Sequence, residues 1–310
     1  MHAIETFALT KRFRRVAAVR ELNLEVGEGS VYALMGPNGA GKTTLIKLLM
    51  NLISPTAGRA MMLGSNASQL QGKGLETIGY VSENQKLPDW MTVESFLSYW
   101  RPFYPKWDRA LEQRLVKRFN LPRKQKLKHL SRGMRMKAAL TSALAFHPRL
   151  IVLDEPLSGL DPLVRDDLME GLAELAGETT VLLSSHDLAE IDSFASHVGY
   201  MDEGRLLLSE PMTSVRERFR KIEIAGDAPL ESPATVPAEW LQFTINTSGA
   251  NADGARWIET GYDAVRSLAR AREVFGAVEL RASAMTLREV FLALARAGRP
   301  ADANGGPQWK

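Results

Sequence analysis

Cysteine is absent from this chain of 310 residues, which excludes disulfides, thiolate zinc sites and cysteine nucleophiles. Long apolar runs are missing as well: stretches such as Leu48-Leu-Met50 and Leu150-Ile-Val-Leu153 fall far short of the roughly 20 residues that cross a bilayer. The chain is not expected to form a pore itself. Charge of one sign is scarce, since 39 lysines and arginines face 36 aspartates and glutamates, whereas dedicated nucleic-acid binders carry a clear basic surplus. No nucleic acid is expected as a partner. The start, Met1-His-Ala-Ile-Glu-Thr6, has no basic end followed by an apolar run, so no secretory signal is read and the cytoplasm is the expected address.

What is present is ample apolar material for a packed core, 45% of residues. Strand-like runs at Ile4 to Leu9, Leu22 to Val26 and Val31 to Met35 lead straight into a glycine-rich segment. Behind it Leu45, Leu48, Leu49 and Leu52 recur at helical spacing, which predicts strand, loop and helix in the order a phosphate loop requires. Residues 92–146 read as mostly helical and are taken as an inserted lobe. Two further apolar runs, Leu150 to Leu153 and Thr180 to Leu183, flank a helix-like stretch from Pro162 to Leu175, the pattern of a buried parallel sheet. The expected fold class is therefore α/β. One domain is expected over residues 1–220 and a small α/β domain over 221–298, with strands at Leu241 to Ile245, Arg256 to Ile258 and Ala277 to Leu280 around a helix from Tyr262 to Phe275. Residues 299–310 are expected to be a flexible tail.

The glycine-rich segment is Gly36, Pro37, Asn38, Gly39, Ala40, Gly41, Lys42, Thr43 and Thr44, which satisfies G-x-x-x-x-G-K-S/T. Such a loop wraps phosphates in backbone N–H groups, while Lys42 reaches the terminal phosphates and the Thr43 hydroxyl ligates magnesium. ATP and Mg2+ are the implied ligands. Asp154 and Glu155 stand just past a buried strand, at the edge where open α/β sheets bind ligands. Asp154 is suited to hold magnesium and Glu155 to polarise the attacking water. His186 ends the next apolar strand in the same way, so its imidazole is expected at the same edge, orienting the water and carboxylate.

Together these segments resemble the ATP-binding subunits of ABC transporters over about residues 4–215. The phosphate loop is similar to the family's Walker A, Leu150 to Glu155 to its Walker B, Ser158-Gly-Leu-Asp161 to its D-loop and His186 to its switch histidine. The resemblance implies a P-loop NTPase core of the ABC ATPase type, with an inserted helical lobe and an N-terminal antiparallel β subdomain. Leu130-Ser-Arg-Gly-Met134 resembles the signature Leu-Ser-Gly-Gly-Gln, so Ser131, Arg132, Gly133 and Met134 would face the nucleotide held by an opposite subunit. Arg132 and Met134 depart from the usual glycine and glutamine. Glu83 occupies the position of a usual glutamine, where it would ligate magnesium beside the γ-phosphate, with Gln85 in reserve. Phe13 stands where the family stacks an aromatic ring on adenine. Trp90 and Met91, at the entrance to the lobe, are candidate anchors for a membrane partner.

The resemblance implies an ATPase that pairs with itself or with a related subunit and drives a separate transmembrane permease, with ABC-2-type exporters as the nearest pattern. That would hold it at the inner face of the membrane. A soluble ATPase of the same type, acting on nucleic acid or ribosomes, is the alternative. Such proteins usually carry two cassettes or long coiled-coil insertions, and neither is read here.

Overall fold

The computed structural model describes residues 1–83, 85–173, 178–187, 191, 194–226, 230–233, 235–245, 254–276 and 278–297. It divides into two compact units, Met1–Ser209 and Glu210–Lys310. The expected tail at 299–310 lies outside the described residues.

In the first unit, β1 (His2–Phe13) and β2 (Val16–Gly27) form a long antiparallel pair with Ile4 opposite Val26 and Leu9 opposite Leu22. These apolar residues are buried, so the alternation fixes which face turns inward. After β3 (Val31–Met35) come α1 (Lys42–Leu49), β4 (Ala57–Met62) and the short β5 (Ser65–Asn66). The strand order β2-β1-β4-β5 is the expected N-terminal antiparallel sheet.

The central sheet adds β6 (Ile78–Val81), β7 (Leu150–Asp154), β8 (Thr180–Ser185), β9 (His197–Asp202) and β10 (Arg205–Pro211), in the order β10-β9-β3-β8-β7-β6. From β9 to β6 neighbouring strands run parallel. Every residue of β3, β7 and β8 is buried, which is why these strands read as continuous apolar runs without alternation. Register then decides what meets at the carboxyl edge: Met35 lies beside Ser185, and Asp154 beside Ser184.

Between β6 and β7 sits the helical lobe, α2 (Val93–Trp100), α3 (Arg109–Arg118) and α4 (Arg132–Leu144). Phe96, Leu97, Leu115 and Phe119 of the lobe share one apolar cluster with Val81 and Leu153 of the sheet. Inside the lobe Glu112, only 1% exposed, accepts hydrogen bonds from Arg101 and from Trp107 Nε1. Burial would push its carboxyl up; Arg101, followed by Trp107, outweighs that and holds it below its ordinary value. After β7 comes α5 (Pro162–Ala173), whose first turn is capped by Asp161, ahead of β8.

The second unit contains α6 (Met212–Arg218), β11 (Arg220–Gly226), β12 (Trp240–Ile245), β13 (Gly254–Glu259), α7 (Ala264–Phe275), β14 (Val278–Ala284) and α8 (Leu287–Ala297). Its antiparallel sheet has the order β12-β13-β11-β14. Trp240 and Trp257 stack with centroids 4.1 Å apart, and Phe243 and Phe275 complete the aromatic core. The sequence reading places strands near β12, β13 and β14 and a helix near α7, but it lacks β11 and α8. β11 is one of the two inner strands, paired with β13 on one side and β14 on the other.

Candidate functional site

The phosphate loop follows β3 and opens α1. Gly36 has φ 152° and Gly41 φ 106°, backbone that side chains rarely adopt. Space forbids a side chain there too, since a Cβ on Gly36 would lie 2.2 Å from the Met201 carbonyl oxygen and one on Gly41 2.2 Å from that of Ala18. Lys42, 5% exposed, folds back into the loop and donates to the Gly36 carbonyl at 2.7 Å. Pro37, Asn38 and Gly39 face solvent above it, and Ala40 is buried.

Two carboxylates meet this loop from β7. Asp154 Oδ1 accepts from the Thr43 hydroxyl at 3.1 Å and from the Ser184 hydroxyl at 2.8 Å. The same Ser184 oxygen accepts from the Glu155 N–H at 2.9 Å, so one hydroxyl fixes both acidic positions. Glu155 is buried, with Oε1 3.1 Å from Lys42 Nζ and Oε2 2.8 Å from His186 Nδ1. A buried carboxylate persists in charged form only with such partners. Its backbone sits at φ 49°, a left-handed conformation that is strained for a residue with a side chain. Tyr80 stands nearby; burial first, and then the Asp154 charge, push its hydroxyl above its ordinary value.

The sequence reading thus has Lys42, Thr43, Asp154, Glu155 and His186 at one edge, and the structure brings them together there. It misses Ser184 and Tyr80. A serine near the end of an apolar strand, two residues before His186, was the available signal for the first. Thr43 and Asp154 supply hard oxygen donors side by side, a set that fits magnesium when phosphate oxygens complete the coordination.

The remaining positions lie elsewhere. Ser131 caps α4 by accepting from the Met134 N–H at 3.2 Å, and Gly133 packs on Val164 of α5, where a Cβ would lie 2.8 Å from Cγ1. Arg132 Nη2 is 3.6 Å from Glu83 Oε1. The Glu83 carboxylate thus faces Arg132, while Gln85 Oε1 turns back to accept from the Ser82 N–H at 3.4 Å. Phe13 is 47% exposed at the tip of the β1–β2 pair, with Lys11 Nζ 5.1 Å from its ring centroid. Trp90 is 70% exposed, and Met91 packs against the lobe core.

Residues 19–158 match the family described as ABC transporter. An uncharacterized ABC transporter ATP-binding protein of Synechocystis is 31% identical over 229 residues, which cover 69% of this chain and 64% of that protein. The bacitracin transport ATP-binding protein BcrA of Bacillus licheniformis is 33% identical over 222 residues, 70% of this chain and 72% of BcrA. The chain belongs to the ATP-binding proteins of ABC transporters. Among solved structures, an ATP-binding subunit of an ABC transporter shares 27% identity and a TM-score of 0.63, over 69% of this chain and 92% of that one. The chain is an ATPase of this type. These three matches each cover 69–70% of this ABC protein.

Proposed function

We propose that the chain binds Mg·ATP, pairs head to tail with a second copy or a related subunit, and by hydrolysis drives a separate permease, most fittingly one that exports. Similarity to a bacitracin transport protein supports the direction. Among the described residues no helix is long and apolar enough to cross a membrane, which leaves the translocation path to another subunit. A groove of about 480 Å³ between the Glu83 loop and α4, with Trp90 exposed beyond it, offers that subunit a place to dock.

The observation that carries the reading is the row Lys42, Glu155, His186. The lysine is held by the Gly36 carbonyl and the Glu155 carboxylate. Phosphate oxygens would draw Lys42 off Glu155 and free Oε1 to accept a hydrogen bond from the attacking water. Magnesium, held by Thr43 and Asp154, would neutralise charge on the phosphates. As the water oxygen bonds to the γ-phosphorus, the bond to the β,γ-bridging oxygen breaks and its charge passes to ADP. Glu155 orients that water, and His186 on Oε2 keeps the carboxylate aimed. Ser131 and Gly133 would complete the neighbour's site with the N–H groups of α4. Phe13 would stack on adenine, which discriminates little between bases.

Phosphate release by the purified chain tests the activity. Calorimetry on Lys42→Ala tests the site: tight ATP binding should vanish, and an unchanged affinity would remove the lysine from its role.

A further inference from the structure

Arg132 is the first residue of α4, where a cation opposes the positive end of the helix dipole. Its guanidinium meets Glu83 and Gly159. Nη2 lies 3.6 Å from Glu83 Oε1, and Nη1 lies 2.6 Å from where a Cβ on Gly159 would stand, so the head group rests directly on that bare glycine. Gly159 belongs to the turn that leaves the hydrolytic carboxylate, closed by the Ser158 N–H on the Glu155 carbonyl at 3.2 Å. One side chain therefore touches three segments: its own helix start, the loop after β6 and the turn after Glu155. At 51% and 36% side-chain exposure the ion pair contributes little stability, so its use must lie in position.

We propose that Arg132 is a positioning residue that works with Glu83 as one charge-balanced pair inside a subunit. A carboxylate at position 83 brings negative charge toward the γ-phosphate, and Arg132 offsets it while tying the Ser131–Gly133 segment to the Glu83 loop. Two of the three departures from the usual motifs, Glu83 and Arg132, are then a single exchange of neutral residues for an opposite-charge pair. This rests on the ATPase reading above. The competing role, a cation aimed at the nucleotide of the opposite subunit, would leave Glu83 out of account.

A double-mutant cycle separates them. In the full chain, Arg132→Gly should raise the KM for ATP about fivefold through the unbalanced carboxylate, and Glu83→Gln should lower kcat by a similar factor. The double variant should return to within about twofold of the parent in kcat/KM. A double variant as poor as the product of the two single losses would overturn the pairing, as would one no better than Arg132→Gly. Because the chain has no cysteine, a Glu83→Cys, Arg132→Cys variant also allows a hydrolysis-independent measurement with a short bis-maleimide. The expected product is a cross-link within one subunit without nucleotide, and its absence would refute the contact. A parent that releases no phosphate would refute the ATPase reading, while the cross-link still reports on the pair.

Discussion

Lys42 and Glu155 lie 3.1 Å apart with 5% and 9% of their side chains exposed, whereas Ser131 and Arg132 at the start of α4 are open to solvent. The first pair is fully served by its own chain: a carbonyl, an imidazole and a serine hydroxyl hold the groups in place before any ligand arrives. Desolvated charges require that, because an unpaired one would be too costly to keep. The α4 end has one capping bond and one loose ion pair, and presents the rest to whatever approaches. The buried pair is preorganised within its own chain; the start of α4 is left open to solvent.

The comparison breaks most visibly at Glu155. Glu155→Gln removes the carboxylate from Lys42 and His186, so turnover should fall about a hundredfold or more while ATP still binds. Size-exclusion chromatography with ATP should then show a lasting dimer, and near-normal phosphate release would dismiss the residue from catalysis. Arg101→Met acts on a second buried charge pair, inside the helical lobe, leaving Glu112 buried without its main partner, at a cost of about 3 kcal/mol in thermal unfolding. Calorimetric ATP affinity should hardly change, since the phosphate loop lies outside the lobe. The Glu112 carboxyl is held low, so its contribution is present at neutral pH and lost as pH falls through the carboxylate range. The parent should therefore lose melting temperature on acidification more steeply than Arg101→Met does.

Ser184→Ala is the next step down. It deprives Asp154 of one donor and leaves the buried Glu155 N–H without an acceptor, a loss of about 2 kcal/mol. Turnover should drop about tenfold through misplaced carboxylates, read as kcat with KM nearly constant. A variant with parental kcat would show that the strained Glu155 backbone holds itself.

Ser184 also shows where sequence reading stops. The phosphate loop is legible because strand, loop and helix are contiguous, and Asp154 and Glu155 because they end an apolar run. Ser184 acquires its role only through the β7–β8 register, and the left-handed Glu155 backbone leaves no trace in residue type. Glu83 and Arg132 each read as an isolated departure, since nothing short of the folded chain brings them face to face. In the second unit β11 escapes because Arg220-Lys-Ile-Glu-Ile224 is too charged to read as an inner strand. α8 did leave a signal: Thr286 and Glu289 form a reciprocal capping box, the Glu289 N–H on Thr286 Oγ1 and the Thr286 N–H on Glu289 Oε2 at 2.9 Å.

The smallest effect belongs to Ser131, and it separates the two uses of that residue. As a cap, its hydroxyl satisfies the Met134 N–H at an exposed helix start. Ser131→Ala should cost about 1 kcal/mol in denaturant unfolding, and Ser131→Asn almost nothing, because asparagine caps equally well. If the cap were all, phosphate release would follow stability and Ser131→Asn would match the parent. If the hydroxyl also meets the neighbour's phosphate, both variants should lose turnover alike, with calorimetric ATP binding to the chain's own loop intact. A stable Ser131→Asn with parental turnover would confine the exposed end of α4 to holding its own helix.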